Sequence, residues 1–404
     1  MFLLFLLSPL LCLVLSSKNP SSKQFRHAFL LMGVFMGMVL QLDSGGDLER
    51  YAHSVIFYDS QNWLYILTEE RDLLFPLYAK LFSYLSINIR LFIISLFTLY
   101  TMLFLKVYEC VLDHIKWENK IDNYFLLIGF LLIYNYEFFF SIRFSFATLL
   151  LSLCTLKIVL EKSNKYYLIM CICPLMHYSF AIVLVAVVLH YFMGDKLELC
   201  VSIFLFSFLL TTPAVSYYIN SIAEQYLPEQ TSSVVSLYAS EEGLEYMNNR
   251  DAAGAAKLSI KGQIAFLILD YKNYIFTYSL LLLCLIRFTQ LKRSRILTRI
   301  FTILLLFYAM ANVASSASRG DRFFNVGSSL IIYFLFVLLL YKNSDHDITS
   351  FIHSNKVVIY ALFIVAILFG IAYIYALRWD YDYFMLFFGN PIAAIIKDFF
   401  MNVP

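Results

Sequence analysis

The feature that most constrains this chain is its repetition of long apolar runs that carry almost no charge. Several runs extend over roughly fifteen to twenty residues, the length at which an α-helix crosses the hydrocarbon core of a bilayer. Hydrophobic residues make up 61% of the 404 and charged residues only 14%, against about a quarter in soluble domains. The runs are continuous rather than alternating, which disfavours a membrane β-barrel. The sequence therefore predicts an all-α, polytopic integral membrane helical bundle forming a single domain, 1–404.

The apolar runs define about eleven to twelve transmembrane segments. The run from Phe2 to Leu15 has no basic region before it and no A-x-A cleavage site, so we interpret it as a retained first span. The runs lie near residues 2–16, 27–42, 89–110, 123–141, 144–160, 166–192, 199–213, 272–290, 299–317, 323–341 and 357–377.

Basic residues between the runs predict which side each loop faces, because short cytoplasmic loops are enriched in Lys and Arg. The loop 43–72 is strongly acidic and is predicted to lie outside, as part of an external segment 43–88 that ends in an interfacial helix. A large external loop is predicted at 214–271. The clusters that mark the inside are Lys18, Lys23 and Arg26; Lys106, Lys116 and Lys120; Lys157, Lys162 and Lys165; and Arg287, Lys292, Arg293, Arg295 and Arg299.

The run 166–192 decides whether this scheme is consistent. If it crossed once, the basic cluster at 287–299 would face outward. If it bends between Pro174 and His177, every basic cluster falls inside, with both termini outside. Because 27 residues are too few for two ordinary spans, we predict a short or re-entrant hairpin. Non-helical backbone at that depth must be buried in protein or line a wet cavity, so the bend is a candidate wall of a site.

The remaining composition excludes several classes of function. A formal net charge of +2 gives no indication of a nucleic-acid partner. The seven cysteines lie in or beside apolar runs and are interpreted as small hydrophobic residues. No cysteine and histidine spacing is typical of a zinc site, so we predict no metal and no cofactor. The D-x-D patterns at 345–347 and 380–382 resemble those of metal-dependent transferases, but the first falls on the predicted cytoplasmic side.

With this topology, four polar features fall on the outer membrane face. Each also has a plain structural interpretation: a solvated loop, an arginine reaching the headgroups, a hydrogen-bonded core histidine or an interhelical turn. Their convergence instead favours a shared polar cavity, since charge at this depth is costly. The features are Asp47, Arg50 and Tyr51 after the second run; Arg143 between two runs; His177 at the bend; and Arg319 and Arg322 before a late run.

Several arginines without matching carboxylates are suited to phosphate, which guanidinium groups bind through paired hydrogen bonds. Phosphate at an outer membrane surface suggests a lipid-linked pyrophosphate. A carboxylate or histidine nearby could accept a proton from an attacking hydroxyl, and arginines could neutralise the leaving pyrophosphate. The combination indicates glycosyl transfer from a polyprenyl-pyrophosphate-linked sugar.

The order of these motifs resembles the EpsG-like family of bacterial polysaccharide polymerases, which is grouped by function with the Wzy-type O-antigen and capsule polymerases. The matching stretches are "SGGDLERY" after the second run, "IRFSFA" and "PLMHYSFAIVL" in the middle of the chain, and "DRFFNVGSSL" near its end. Together they extend from about residue 30 to about residue 340.

The resemblance implies an enzyme of the bacterial inner membrane whose active face is periplasmic. Its substrate would be an oligosaccharide linked to undecaprenyl pyrophosphate, and a chain-length regulator would be a further partner. By the same resemblance, Arg143, Arg319 and Arg322 would bind pyrophosphate, with Arg50 as a further candidate. Asp47 or His177 would be the catalytic base or orient the acceptor, Tyr51 would stack on sugar, and the loop 214–271 would cover the glycan.

Three alternatives remain open from the sequence. An O-antigen ligase uses the same donor with a different acceptor, and a membrane acyltransferase that modifies glycans also uses intramembrane arginine and histidine. A flippase or transporter of the lipid-linked oligosaccharide would favour polar residues through the full membrane depth and an internal repeat. Here the polar residues cluster at one face and no repeat is visible.

Overall fold

The computed structural model describes residues 2–39, 47–70, 72–140, 142–226, 260–317, 320, 322–342, 346–376 and 389–394, with short stretches between 232 and 249. Over these residues the chain is almost entirely helical, and its one β-type pairing is an isolated bridge between Ile115 and Tyr341. The helices are α1 Phe2–Leu7, α2 Pro9–Ser16, α3 Lys23–Val39, α4 Asp47–Asp59, α5 Trp63–Glu69, α6 Leu74–Tyr84, α7 Ile89–Leu112, α8 Ile121–Phe140, α9 Ile142–Glu161, α10 Lys165–Met170, α11 Cys173–Met176, α12 Ala181–Met193, α13 Leu197–Ser207, α14 Pro213–Tyr226, α15 Ile260–Arg293, α16 Arg295–Ala314, α17 Arg322–Leu339 and α18 His346–Ala376.

Six helices of the described part are long and apolar enough to cross a membrane. A seventh is added if Leu197–Leu210 and Ala214–Tyr226, which meet at a 94° bend, are taken as one span. The all-α polytopic membrane fold is therefore confirmed, while the larger predicted number of segments stays a prediction. The six helices are Ile89–Leu112, Ile142–Glu161, Tyr271–Arg293, Arg295–Ala314, Arg322–Leu339 and His346–Ala372.

The first apolar run differs from the single span expected of it. It forms two short helices, α1 and α2, which meet at Ser8. Ser8 has an extended backbone and its side chain accepts a hydrogen bond from the amide of Leu11, while Pro9 opens the second helix. A serine followed by proline is a usual start of a helix, because proline needs no backbone donor there. The local sequence therefore ends one helix and begins another.

The described part of the acidic segment 43–88, residues 47–70 and 72–88, is largely helical rather than an extended loop. From Asp47 onward it forms the helices α4, α5 and α6, and α6 coincides with the apolar stretch expected to be an interfacial helix. Pro76 lies in the first turn of α6, where a missing backbone donor costs nothing. The segment packs through the buried face of α6, which includes Phe75 and Ala79.

Close contact between α3 and α7 depends on two glycines spaced four apart, Gly33 and Gly37. A Cβ atom on Gly33 would lie 2.1 Å from Thr101 Oγ1, and one on Gly37 would lie 2.8 Å from the Cα atom of Ile94. This small-x-x-x-small spacing lets two membrane helices approach with their backbones nearly in contact. It fixes α3, which leads into the acidic segment, against a spanning helix of the bundle.

The run 166–192 folds back on itself as predicted. Tyr167 Oη lies 2.7 Å from His190 Nδ1, whereas 23 residues of straight helix would separate them by about 34 Å. The helix is interrupted around Cys171 and Ile172 and again at His177, which has an extended backbone with φ −151° and ψ 113°. The two arms are therefore antiparallel, and His177 lies near their tip.

The bundle has two chemically distinct ends. One, which we call the basic end, contains the salt bridges of Arg26 with Glu109 and of Arg299 with Asp195. The other, which we call the Arg143 end, contains the acidic segment, because Asp72 of that segment bonds to Arg143 at the start of α9. The described basic clusters that were predicted to share one side of the membrane therefore do gather at one end of the fold.

We expect cysteine labelling to separate these ends across the membrane. Ser60→Cys, in the exposed acidic segment, should react with an impermeant maleimide in intact cells, and Arg293→Cys, exposed at the basic end, only after the membrane is opened. The parent protein should carry Cys171→Ser, since the other six cysteines are buried. Labelling of both positions from the same side would contradict the arrangement.

Candidate functional site

Arg143 is the central residue of the Arg143 end. It is the second residue of α9, so the helix start fixes its backbone while its side chain reaches toward the acidic segment. Its Nη1 lies 2.7 Å from Asp72 Oδ2, and its Nε donates a long hydrogen bond of 3.4 Å to Tyr51 Oη. The guanidinium carbon also lies 5.5 Å and 5.8 Å from the ring centres of Tyr51 and Phe75, within the range of cation–π attraction.

Asp72 joins the acidic segment to the hairpin. Its side chain is only 5% exposed, and both carboxylate oxygens are used. While Oδ2 accepts from Arg143, Oδ1 accepts a hydrogen bond of 2.7 Å from the backbone amide of Tyr178, directly after the bend. A buried carboxylate needs this kind of pairing, because an uncompensated charge there is strongly unfavourable. Asp72 therefore holds Arg143 and the bend in a fixed relation.

His177 occupies the tip of the hairpin. Its Nδ1 lies 2.7 Å from Ser179 Oγ, and its ring packs nearly perpendicular to that of Phe144, with centroids 5.5 Å apart. Its Nε2 has no hydrogen-bond partner among the described residues. One ring nitrogen is thus oriented by the protein, while the other keeps its hydrogen-bonding capacity within the described part of the chain.

Three aromatic rings hold the polar residues together. Phe144, Phe180 and Phe323 form a triangle with centroid distances of 5.0, 5.7 and 5.8 Å. Phe144 follows Arg143 in the chain, and Phe323 follows Arg322. Packing the rings therefore brings the starts of α9 and α17 and the hairpin tip to one place.

Arg322 is the first residue of α17 and is half-buried. Both Arg322 and Arg143 are close enough to His177 to interact with it electrostatically. Within the described part of the chain Arg322 has no ion pair. A cation at a helix N-terminus is also disfavoured by the helix dipole, so an anion bound beside Arg322 would be stabilised. Gly320 lies tightly against the end of α16, since a Cβ atom there would lie 1.7 Å from the carbonyl oxygen of Ala314.

A hydrogen-bonded pair, Tyr58 and Glu70, stabilises the acidic segment next to Asp72. Tyr58 Oη donates a 2.8 Å hydrogen bond to Glu70 Oε1. Burial, together with the hydrogen bond and charge of Glu70, raises the pKa of the Tyr58 phenol well above its usual value. The phenol therefore stays protonated and remains a donor. The pair ties the last turn of α4 to the end of α5, just before Asp72.

The structure brings together four of the candidate residues: Tyr51, Arg143, His177 and Arg322. Arg50 lies on the exposed face of α4. Asp47 begins α4, but its side chain lies outside the described residues, as does Arg319.

Two features of the site were not expected from the sequence. The ring of Tyr51 is 5% exposed, with Phe75 at 4.8 Å, so its geometry favours holding Arg143 over stacking on a sugar. Asp72 was not among the candidate residues. The signal available for it was its position at the boundary between an acidic stretch and the apolar start of α6, where a buried carboxylate would need a cation.

Comparison with known proteins decides the family. The family model described as EpsG matches residues 25–387. The chain belongs to the EpsG family. The matched segment contains every residue of the Arg143 end described above. It also contains the salt-bridged residues of the basic end, Arg26, Glu109, Asp195 and Arg299. No curated protein and no solved structure matches the chain.

Membership of the EpsG family indicates a polysaccharide polymerase-type function in a membrane protein. The resemblance noted from the sequence is thereby confirmed. The family match covers 25–387, and the cluster at the Arg143 end joins segments of that range that lie far apart in the chain.

Proposed function

We propose that this EpsG-family protein polymerises oligosaccharide repeat units carried on undecaprenyl pyrophosphate, at the periplasmic face of the bacterial inner membrane. The product would be an O-antigen or capsule-type polysaccharide. In each cycle the growing glycan would leave its polyprenyl pyrophosphate and join the non-reducing end of a new lipid-linked unit. The family supports the polymerase class, and the Arg143 end supports the donor.

The geometry of Arg143 is the observation that carries this proposal. Asp72 and Tyr51 occupy Nη1 and Nε, and Nη2 has no partner among the described residues. The side chain is 35% exposed. The guanidinium is therefore held through Nε and Nη1 and keeps the two N–H donors of Nη2, which suit a phosphate oxygen. Because the fixing contacts are already made, binding a phosphate costs little side-chain entropy.

Arg322 provides a second positive charge near His177. Pyrophosphate carries charge on both phosphates, so two arginines from different helices could share it. As the bond to the sugar breaks, negative charge grows on the leaving oxygen, and fixed positive groups stabilise it more than they stabilise the intact donor. Arg319, which precedes Arg322 by three positions, is a further candidate for this binding.

His177 is proposed to act on the acceptor. A hydroxyl oxygen of the acceptor sugar attacks the anomeric carbon, its proton passes to His177 Nε2, and the bond from the anomeric carbon to the pyrophosphate oxygen breaks. Asp47 is the alternative proton acceptor. The hydrogen bond between His177 Nδ1 and Ser179 would orient the imidazole for this role.

A strain lacking this protein tests the proposed function, with the surface glycan as the readout. We expect single repeat units on the lipid A-core, or the equivalent anchor, and no long chains. A bare core would instead indicate a ligase or a flippase. Unchanged chains that lack a substituent would indicate an acyltransferase. Restoration of long chains by the wild-type gene is the required control.

A further inference from the structure

Three side chains that bind transition metals meet at the basic end, away from Arg143. Cys110 lies in the last turns of α7, His114 in the turn that follows and Glu161 at the end of α9. One ligand atom from each lies within 4.8 Å of the others. We propose that Cys110, His114 and Glu161 form a binding site for a divalent transition metal of the zinc class.

The donor set selects the kind of ion. A thiol, an imidazole and a carboxylate together suit Zn²⁺ and its neighbours, whereas Mg²⁺ and Ca²⁺ take oxygen ligands. Three protein ligands leave one position of a tetrahedron for water. The ligands come from two helices, so a bound ion would join the end of α7 to the end of α9.

The orientation of His114 supports this assignment. Its Nδ1 lies 2.8 Å from the backbone carbonyl oxygen of Cys110. A carbonyl can only accept, so Nδ1 carries the proton and Nε2 keeps the lone pair that a metal requires. Histidine ligands in metalloproteins are commonly oriented through such a hydrogen bond from the other ring nitrogen. Cys110 is 1% exposed, and a metal would give its buried sulfur a partner.

Lys157 is the residue that competes with the ion. It forms a salt bridge with Glu161, four residues further along the same helix, and it interacts electrostatically with Cys110. Its ammonium group balances the carboxylate, and a bound cation would take over that role. Asp113 also interacts electrostatically with Cys110 and adds negative charge that favours a cation. Metal binding would therefore require Lys157 to swing away, which its partly exposed side chain permits.

The test uses the purified full-length protein in detergent, with Co²⁺ alone as a spectroscopic probe. We expect a thiolate-to-cobalt charge-transfer band and the strong ligand-field bands of a four-coordinate ion, both removed by added Zn²⁺. Cys110→Ser should abolish the charge-transfer band. Cys171→Ser, which changes the exposed cysteine, should leave it intact. A missing band in the wild type, or one that survives Cys110→Ser, would overturn the proposal.

Two further variants guard against misfolding of the buried Cys110→Ser protein. Glu161→Gln changes a partly exposed ligand and should weaken Co²⁺ binding by at least about tenfold. Lys157→Gln removes the competing cation and should strengthen binding by about tenfold, since an ammonium and a metal ion repel each other. Unchanged affinity in both variants would show that the carboxylate is not a ligand.

Discussion

Arg143→Ala is expected to reduce polymerisation by about 10²–10³-fold, by analogy with the loss of one donor that stabilises charge in a transition state. The variant loses the guanidinium that would face the pyrophosphate, and it leaves the buried Asp72 without its cation. Arg143→Lys should recover only part of the activity. An ammonium is a point charge and cannot donate to Asp72, Tyr51 and a phosphate in one plane.

Arg90 offers a matched control for this experiment. It is the second residue of α7, as Arg143 is the second residue of α9, and it is also half-buried. Arg90→Ala removes an arginine from an equivalent helix position but leaves Arg143 in place. Its polymerisation activity should therefore stay within a few-fold of the wild-type activity. The readout is glycan chain length at equal membrane abundance. If Arg143 only reached the lipid headgroups, lysine would replace it fully, so long chains from Arg143→Lys would contradict a role in pyrophosphate binding.

The sequence allowed the hairpin and the convergence on one end to be predicted. Both follow from two constraints common to membrane proteins, the length of a span and the cost of placing charge in hydrocarbon. A run too long for one span and too short for two must bend, and charged residues must leave the hydrocarbon. These rules placed His177 at a bend and Arg143 and Arg322 at span ends, and the structure has all three at the same end.

The exact membership of the cluster could not be predicted in the same way. Asp72 is one of several acidic residues in its segment, and nothing local distinguishes it. Its importance comes from Arg143, 71 residues away, and from the amide of Tyr178, 106 residues away. Such long-range pairs depend on how α9 and the hairpin pack. For the same reason the sequence could not show that Tyr51, which the family resemblance assigned to stacking on sugar, is buried beneath Arg143.

The helix break at Ser8 shows the opposite case, a local signal that hydropathy alone overlooks. The run 2–16 is apolar throughout, so hydropathy predicts one span. The Ser-Pro pair at 8 and 9 is nevertheless a helix start, and the structure follows that signal. The metal-ligand group at the basic end combines a local sequence signal with a long-range contact. Cys110 and His114 are four apart, but Glu161 joins them only through the contact between α7 and α9.

Asp72→Asn is expected to lower polymerisation by about tenfold or more, through Arg143 and the bend. The amide has one acceptor oxygen, whereas the carboxylate uses two, for Arg143 and for the Tyr178 amide. One of these contacts must be lost, and the NH₂ group would then face another donor. Loss of a hydrogen bond to a buried charged group costs about 1.5–3 kcal/mol, which is about tenfold to 150-fold in rate if it falls on the transition state. The loss of activity is measured as glycan chain length and as the rate of repeat-unit addition in purified membranes.

Asp59→Asn is the matched control for this variant, because Asp59 is an exposed carboxylate of the same acidic segment, and exposed charge pairs contribute little. A double-mutant cycle then decides whether Asp72 acts through Arg143. If it does, Asp72→Asn should add little to the defect of Arg143→Ala, since the interaction is already gone. If the two losses multiply, Asp72 acts on the substrate or the fold independently of Arg143. In that case the guanidinium is not held in place by Asp72 during catalysis, whatever their separation in the resting protein.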